Sequence, residues 1–288
     1  MLMGVLKKIF REDLPFVFAA PALIWQIFFV YLPLFVLFLQ SLDFRFSNYS
    51  GLLNNLFFNV IANSFILAFI TATICLFVAY PVAYFLSMKV KRFKNFLLFS
   101  LILPSWTSFI VQVYAWIFLL QKNGPFNIIL YKLGIISKST HLLNNYFAII
   151  LGMVYCYLPF MILPIYTVLE KMDKRLIEVS ADLGANKIQT FKKVILPLSS
   201  TGIMAGFLLV FIPAFGEFAI PDLLGGGKKI FWGSLIVDKF LMTREWGSGA
   251  AFAFIGILIL LIFFTFFYFI YRFLIKFIRT KKLWGGYE

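Results

Sequence analysis

The sequence predicts an all-α membrane protein with six transmembrane helices and both termini in the cytoplasm. Three observations predict it. Of 288 residues, 62% are hydrophobic and only 13% are charged, about half the charged share of a soluble domain, so the bilayer is the solvent that suits this surface. Six charge-free stretches reach the roughly 20 residues needed to cross a hydrocarbon core: 14–42, 46–88, 96–121, 142–169, 194–216 and 246–271. The net charge of +14 is distributed asymmetrically: with the N-terminus inside, 18 of the 26 Lys and Arg residues fall in inside segments, the bias that marks cytoplasmic loops.

The elements follow in order. Lys7, Lys8 and Arg11 precede the first stretch, which is far longer than the apolar core of a signal peptide and reads as an uncleaved first span. The second stretch opens on the polar segment 47–51 with Asn54 and Asn55, an interfacial segment, so its span begins near Val60. The third span follows a short inside loop, 89–95. Trp25, Tyr31, Trp106, Trp116, Tyr146 and Trp246 lie in or near span ends, where amphipathic rings prefer to sit. Ala79 and Ala83 in the second span, and Gly202 and Gly206 in the fifth, are small pairs at helical spacing that allow close helix packing in lipid. No internal or inverted repeat is visible, which weighs against the repeat-built secondary transporters.

The positive charge is thus a topology signal, and nucleic acid is excluded as a partner; membrane lipid takes its place. Cys75 and Cys156 sit in apolar runs and the one histidine, His141, in a loop, so neither disulfide, metal site nor cofactor is expected. The run Gly225-Gly-Gly-Lys228-Lys229 lacks the earlier glycine and the Ser/Thr of a phosphate-binding loop. The chain carries no hydrolytic motif, and no enzymatic activity of its own is expected.

The inside loop 170–197 is the most unusual segment. Leu176, Ile177, Ser180, Ala181 and Leu183 give a short helix an apolar face, Gly184 suits a helix C-terminus, and Ile188, Phe191, Val194 and Ile195 form a second face at 3.6 spacing. Pro197 is expected to break the helix before the fifth span. Such a helix–glycine–helix elbow serves either as an interfacial pair on lipid or as a docking knob for a cytoplasmic partner.

The pattern Glu178-Val-Ser180-x-x-x-Gly184, ending in Val194-x-Leu196-Pro197, resembles the Glu-Ala-Ala loop of binding-protein-dependent ABC importer permeases. Valine and serine stand for two alanines, and valine for an isoleucine. The runs 159–166, 182–185 and 211–226 are similar to the spermidine/putrescine permeases of that family, and the likeness extends over nearly the whole chain. The resemblance implies a type I ABC importer permease fold with a cytoplasmic coupling helix. Its parts are a first helix with its flanks (1–55), a transmembrane core (56–272) and a cytoplasmic tail (273–288). It implies a heterodimer with a second permease subunit, two cytoplasmic ATPase subunits that hydrolyse the ATP, and a periplasmic binding protein. It assigns ATPase coupling to Glu178, Ser180, Ala181, Asp182, Gly184, Ala185, Phe191, Leu196 and Pro197. It also implies polyamine cargo; another solute such as ferric iron or sulfate, a stand-alone secondary carrier and a membrane-embedded enzyme are the alternatives.

Glu217 is the ionisable residue nearest the interior of a span, and an intramembrane carboxylate marks a pathway or a buried pair. It lies between Pro213 and Pro221, so the helix is expected to break around it. In one reading Glu217 and Asp222 attract a cationic substrate, aided by the ring faces of Trp106, Tyr114 and Tyr155. In the other, Glu217 is solvated near the outer interface or paired with Lys228 or Lys229. The outer loops carry eight basic residues and few acids, so no acidic funnel supports a cationic cargo.

Overall fold

The computed structural model describes residues 14–42, 49, 55–136 and 141–284. The basic flank of Lys7, Lys8 and Arg11, and the polar segment 47–54 apart from Tyr49, lie outside the described residues. All regular structure among the described residues is helical, and two compact units can be distinguished, 54–235 and 1–53 with 236–288.

In the second of these, α1 (Leu14–Gln26) and α2 (Leu32–Ser41) run on through a π-helical turn, Ile27–Tyr31, as one apolar rod. Its most apolar window is 0% buried. The last span, α13 (Trp246–Trp284), meets α2 where Phe254 and Phe38 pack edge to face at 5.4 Å. Lys239 and Glu245, 2.7 Å apart, close the turn before it. The hydrogen bond and charge of Lys239 hold the Glu245 carboxyl below its ordinary range.

The unit 54–235 is built on α3 (Asn55–Met88), α7 (Tyr146–Glu170) and α10 (Leu196–Phe215). Ala68, Ala72, Cys75, Ala79 and Ala83 are buried along one stripe of α3. A Cβ on Gly202 would lie 2.8 Å from the Pro164 carbonyl oxygen, and one on Gly206 3.0 Å from that of Met161, so α10 rests directly on the α7 backbone. Contact this close compensates for the missing hydrophobic drive between helices in lipid. Tyr80 and Ser199 share a hydrogen bond of 2.9 Å across α3 and α10. Every buried side-chain polar atom among the described residues has a partner, as a water-free medium requires.

Three expectations change. The helix of the second span starts at Asn55, ahead of the expected start near Val60. The third span is two helices, α4 (Lys94–Ile102) and α5 (Phe109–Leu120), with the chain bent by 91° between Lys94–Trp106 and Phe109–Lys132. Pro104 initiates the 3-10 turn at this bend, and the Gln112 side chain donates to its carbonyl at 2.7 Å. Pro197 does not break its helix: Lys187–Phe215 is continuous. A π-helical turn at Phe191–Ile195, closed by the Leu196 N–H on the Phe191 carbonyl, shifts the hydrogen-bond register just before the proline.

Candidate functional site

Two interruptions of helix carry most of the predicted site residues; Trp106 lies at the Pro104 bend, Tyr114 in α5 and Tyr155 in α7. The first is the elbow between α7 and α10. Its short helix α8 (Arg175–Asp182) ends on Gly184, whose φ of +79° lies in the left-handed region that glycine enters without steric cost. Gly184 N–H donates to Ala181 at 2.9 Å and Ala185 N–H to Ser180 at 3.1 Å, the paired closure of a Schellman cap. The next helix, α9 (Lys187–Thr190), opens on a capping box in which Asn186 and Gln189 exchange bonds of 2.9 Å.

The elbow is fastened from inside. Ser180 and Thr190, both buried, share a hydroxyl hydrogen bond of 3.0 Å. The Phe191 ring stands edge-on to Tyr80 and Tyr84 of α3, with centroids 5.7 and 6.5 Å away. Glu178, Ala181, Asp182, Leu196 and Pro197 are exposed, and Ala185 is half-buried. The predicted apolar face is therefore divided: Ser180 turns inward, while Val179, Leu183 (82% exposed) and Ile188 (67% exposed) crown the outside.

The second interruption follows α10. The helix stops at Phe215 and a short helix, α11 (Ala219–Gly225), begins after Phe218, so the expected break is present. Glu217 fills it and is only 9% exposed. One carboxylate oxygen accepts from the backbone N–H groups of Phe218, Ala219 and Ile220 at 3.1, 2.9 and 3.4 Å. The other accepts from the Tyr157 hydroxyl of α7 at 2.5 Å. The carboxylate thus supplies the bonds that the freed N–H groups lack. Lys228 instead donates to the Asn144 carbonyl at 3.0 Å, and Lys229 lies over the Tyr146 ring.

Asp222 is exposed on α11 and accepts from Ser234 of α12 (Trp232–Val237) at 2.8 Å. Trp106, Tyr114 and Tyr155 are all exposed, and none hydrogen-bonds to Glu217. Trp106 packs on Phe99 and Tyr155 on Trp116. Tyr155 precedes Tyr157 by two positions, about 200° round the helix. Sequence reasoning missed Tyr157, whose partner lies 60 residues away. It also missed Thr190 and the Asn186–Gln189 box, although the latter's three-residue spacing was a readable signal.

Among the described residues no cluster of His, Cys, Asp and Glu is able to hold a metal. The family described as the binding-protein-dependent transport system inner membrane component matches residues 76–280. The chain is 41% identical over 247 residues to the spermidine/putrescine transport system permease protein PotB of Haemophilus influenzae, covering 82% of this chain and 86% of that protein. To PotB of Escherichia coli strain K12 it is 40% identical over 238 residues, 79% and 86% of the two chains. Among solved structures, a bacterial ABC transporter involved in the import of the acidic polysaccharide alginate superposes with a TM-score of 0.69 at 16% identity, over 93% of this chain and 98% of that one. That likeness identifies the fold as the type I ABC importer permease fold.

Proposed function

The chain belongs to the binding-protein-dependent transport system inner membrane components, and from that premise we propose that it conducts polyamines of the spermidine and putrescine class into the cytoplasm. The observation that carries the cargo is the 41% identity to a spermidine/putrescine permease over 82% of the chain. The protein is a multi-pass permease of the inner membrane. In our reading both termini are cytoplasmic, a second permease subunit completes the pathway, two ATPase subunits grip the elbows, and a periplasmic protein delivers the cargo.

The elbow is the coupling element. Glu178, Asp182 and the apolar crown of Val179, Leu183 and Ile188 meet the ATPase. Ser180, Ala181, Gly184, Ala185 and Phe191 keep the elbow rigid, and Leu196 and Pro197 join it to α10. Force applied there moves α10 as a lever, and α11 follows through Glu217. Asp222, Trp106, Tyr114 and Tyr155 offer a carboxylate and ring faces to an ammonium chain. Glu217 adds its field to the pathway while its oxygens hold the break.

The test is uptake of labelled spermidine by vesicles holding this chain with its partner permease, ATPases and binding protein. We expect ATP-dependent uptake that is insensitive to ionophores and not inhibited by sulfate or ferric iron. Uptake by this chain alone, driven by an ion gradient, would establish a secondary carrier instead.

A further inference from the structure

The elbow lies at one end of α7. At 1.5 Å per residue, this 25-residue helix spans about 37 Å, enough to reach the opposite membrane surface. A cavity of ≈150 Å³ lies at that far end, lined in part by Asn144, Tyr146, Pro221, Lys228 and Lys229.

The cavity is shaped by the backbone. Asn144 donates its N–H to the Leu224 carbonyl at 2.9 Å. Gly226 and Gly227 carry consecutive left-handed φ values of +68° and +67°. A Cβ on Gly226 would lie 2.8 Å from the Asn144 side chain, so the loop closes on Asn144 only with glycine there.

That closure brings two ammonium groups to one small space. Lys228 donates to the Asn144 carbonyl at 3.0 Å, and Lys229 lies 4.7 Å from the centre of the Tyr146 ring. Both anchors are neutral. Among the described residues neither lysine has a salt-bridge partner, and no acid lines the cavity. The positive end of the α7 dipole adds to the potential at this point. Two like charges lining one concavity favour an anion between them.

We propose that this cavity receives one carboxylate side chain, an Asp or Glu, from the solute-binding protein. The inference rests on the reading of the chain as an importer subunit. The cavity has the volume for a carboxylate. A free small anion meets few partners here, whereas a carboxylate on a docked protein is held at high effective concentration. Halving the net positive charge on docking also lowers a barrier to a cationic cargo, which two bare ammonium groups at the mouth would repel.

The test uses the complete transporter in vesicles. ATPase activity is measured against binding-protein concentration, at low and high salt, for the wild type, Lys228→Gln, Lys229→Gln, the double variant and Lys228→Arg. We expect the half-maximal concentration to rise about tenfold or more in the double variant, with an unchanged maximal rate and a weaker salt dependence. Lys228→Arg should keep near-wild-type behaviour. One Asp→Asn or Glu→Gln change on the binding protein should reproduce the loss and add nothing to the double variant. An unchanged half-maximal concentration overturns the proposal. So does a defect that vanishes in vesicles without anionic lipid, which would assign the cavity to a headgroup, or one reproduced by free acetate or sulfate at millimolar concentration. A wild-type complex that no binding protein stimulates overturns the importer reading itself.

Discussion

Helix is interrupted at the elbow and again after α10, and the two interruptions are capped by different chemistry. At the elbow, Gly184 adopts a left-handed conformation and local backbone bonds close the turn; whatever remains unpaired meets water. At the break after α10 Glu217 is buried, and its carboxylate alone accepts from three backbone N–H groups and a tyrosine hydroxyl. The contrast shows that a carboxylate at membrane depth acts as a structural cap as well as a charge. Its desolvation is offset by hydrogen bonds from both protein partners and backbone.

That contrast is broken most severely at Glu217. Glu217→Ala leaves three N–H groups and a buried hydroxyl without acceptors, each costing about 1–3 kcal/mol. We expect the largest fall in thermal stability of the purified complex, together with loss of uptake. Glu217→Gln keeps an acceptor oxygen for the N–H groups, so it should recover most of the stability. Its uptake then separates the two roles: normal uptake makes the carboxylate a cap alone, whereas lost uptake in a stable protein assigns its charge to the cargo.

A smaller effect is expected at Gly184. No atom lies within 4 Å of a Cβ placed there, so Gly184→Ala costs only the left-handed conformation, about 1–2 kcal/mol. We expect normal membrane insertion with ATP hydrolysis uncoupled from uptake, read as a raised ratio of ATP consumed to spermidine imported. An unaltered ratio would remove the elbow from the coupling path. The smallest effect belongs to Ser180 and Thr190. Ser180→Ala and Thr190→Val should each cost about 1 kcal/mol, and the double variant should cost less than their sum, since they share one bond.

The spans and the elbow were legible in the sequence for physical reasons that act locally. Hydropathy reports a continuous apolar run, and Gly184 reports a backbone conformation that other residues resist. The bend at Pro104 escaped because the apolar run continues through it, and the Gln112 side chain that joins Thr107 on the Pro104 carbonyl is read only in three dimensions. Pro197 misled for the opposite reason. A proline signals a break, yet the π-helical turn before it absorbs the missing bond. Glu217 was visible as an anomaly, but its partner Tyr157 was not, because nothing in a phenol's local context says which distant oxygen it will meet.

The seating of Gly202 and Gly206 on carbonyl oxygens of α7 leaves no slack between the two rods. Members in such contact do not slide by even a methyl's width without collision, so they behave as one stiff strut of low compliance. Displacement of one rod is therefore taken up in full by the other, and the pair moves as a unit.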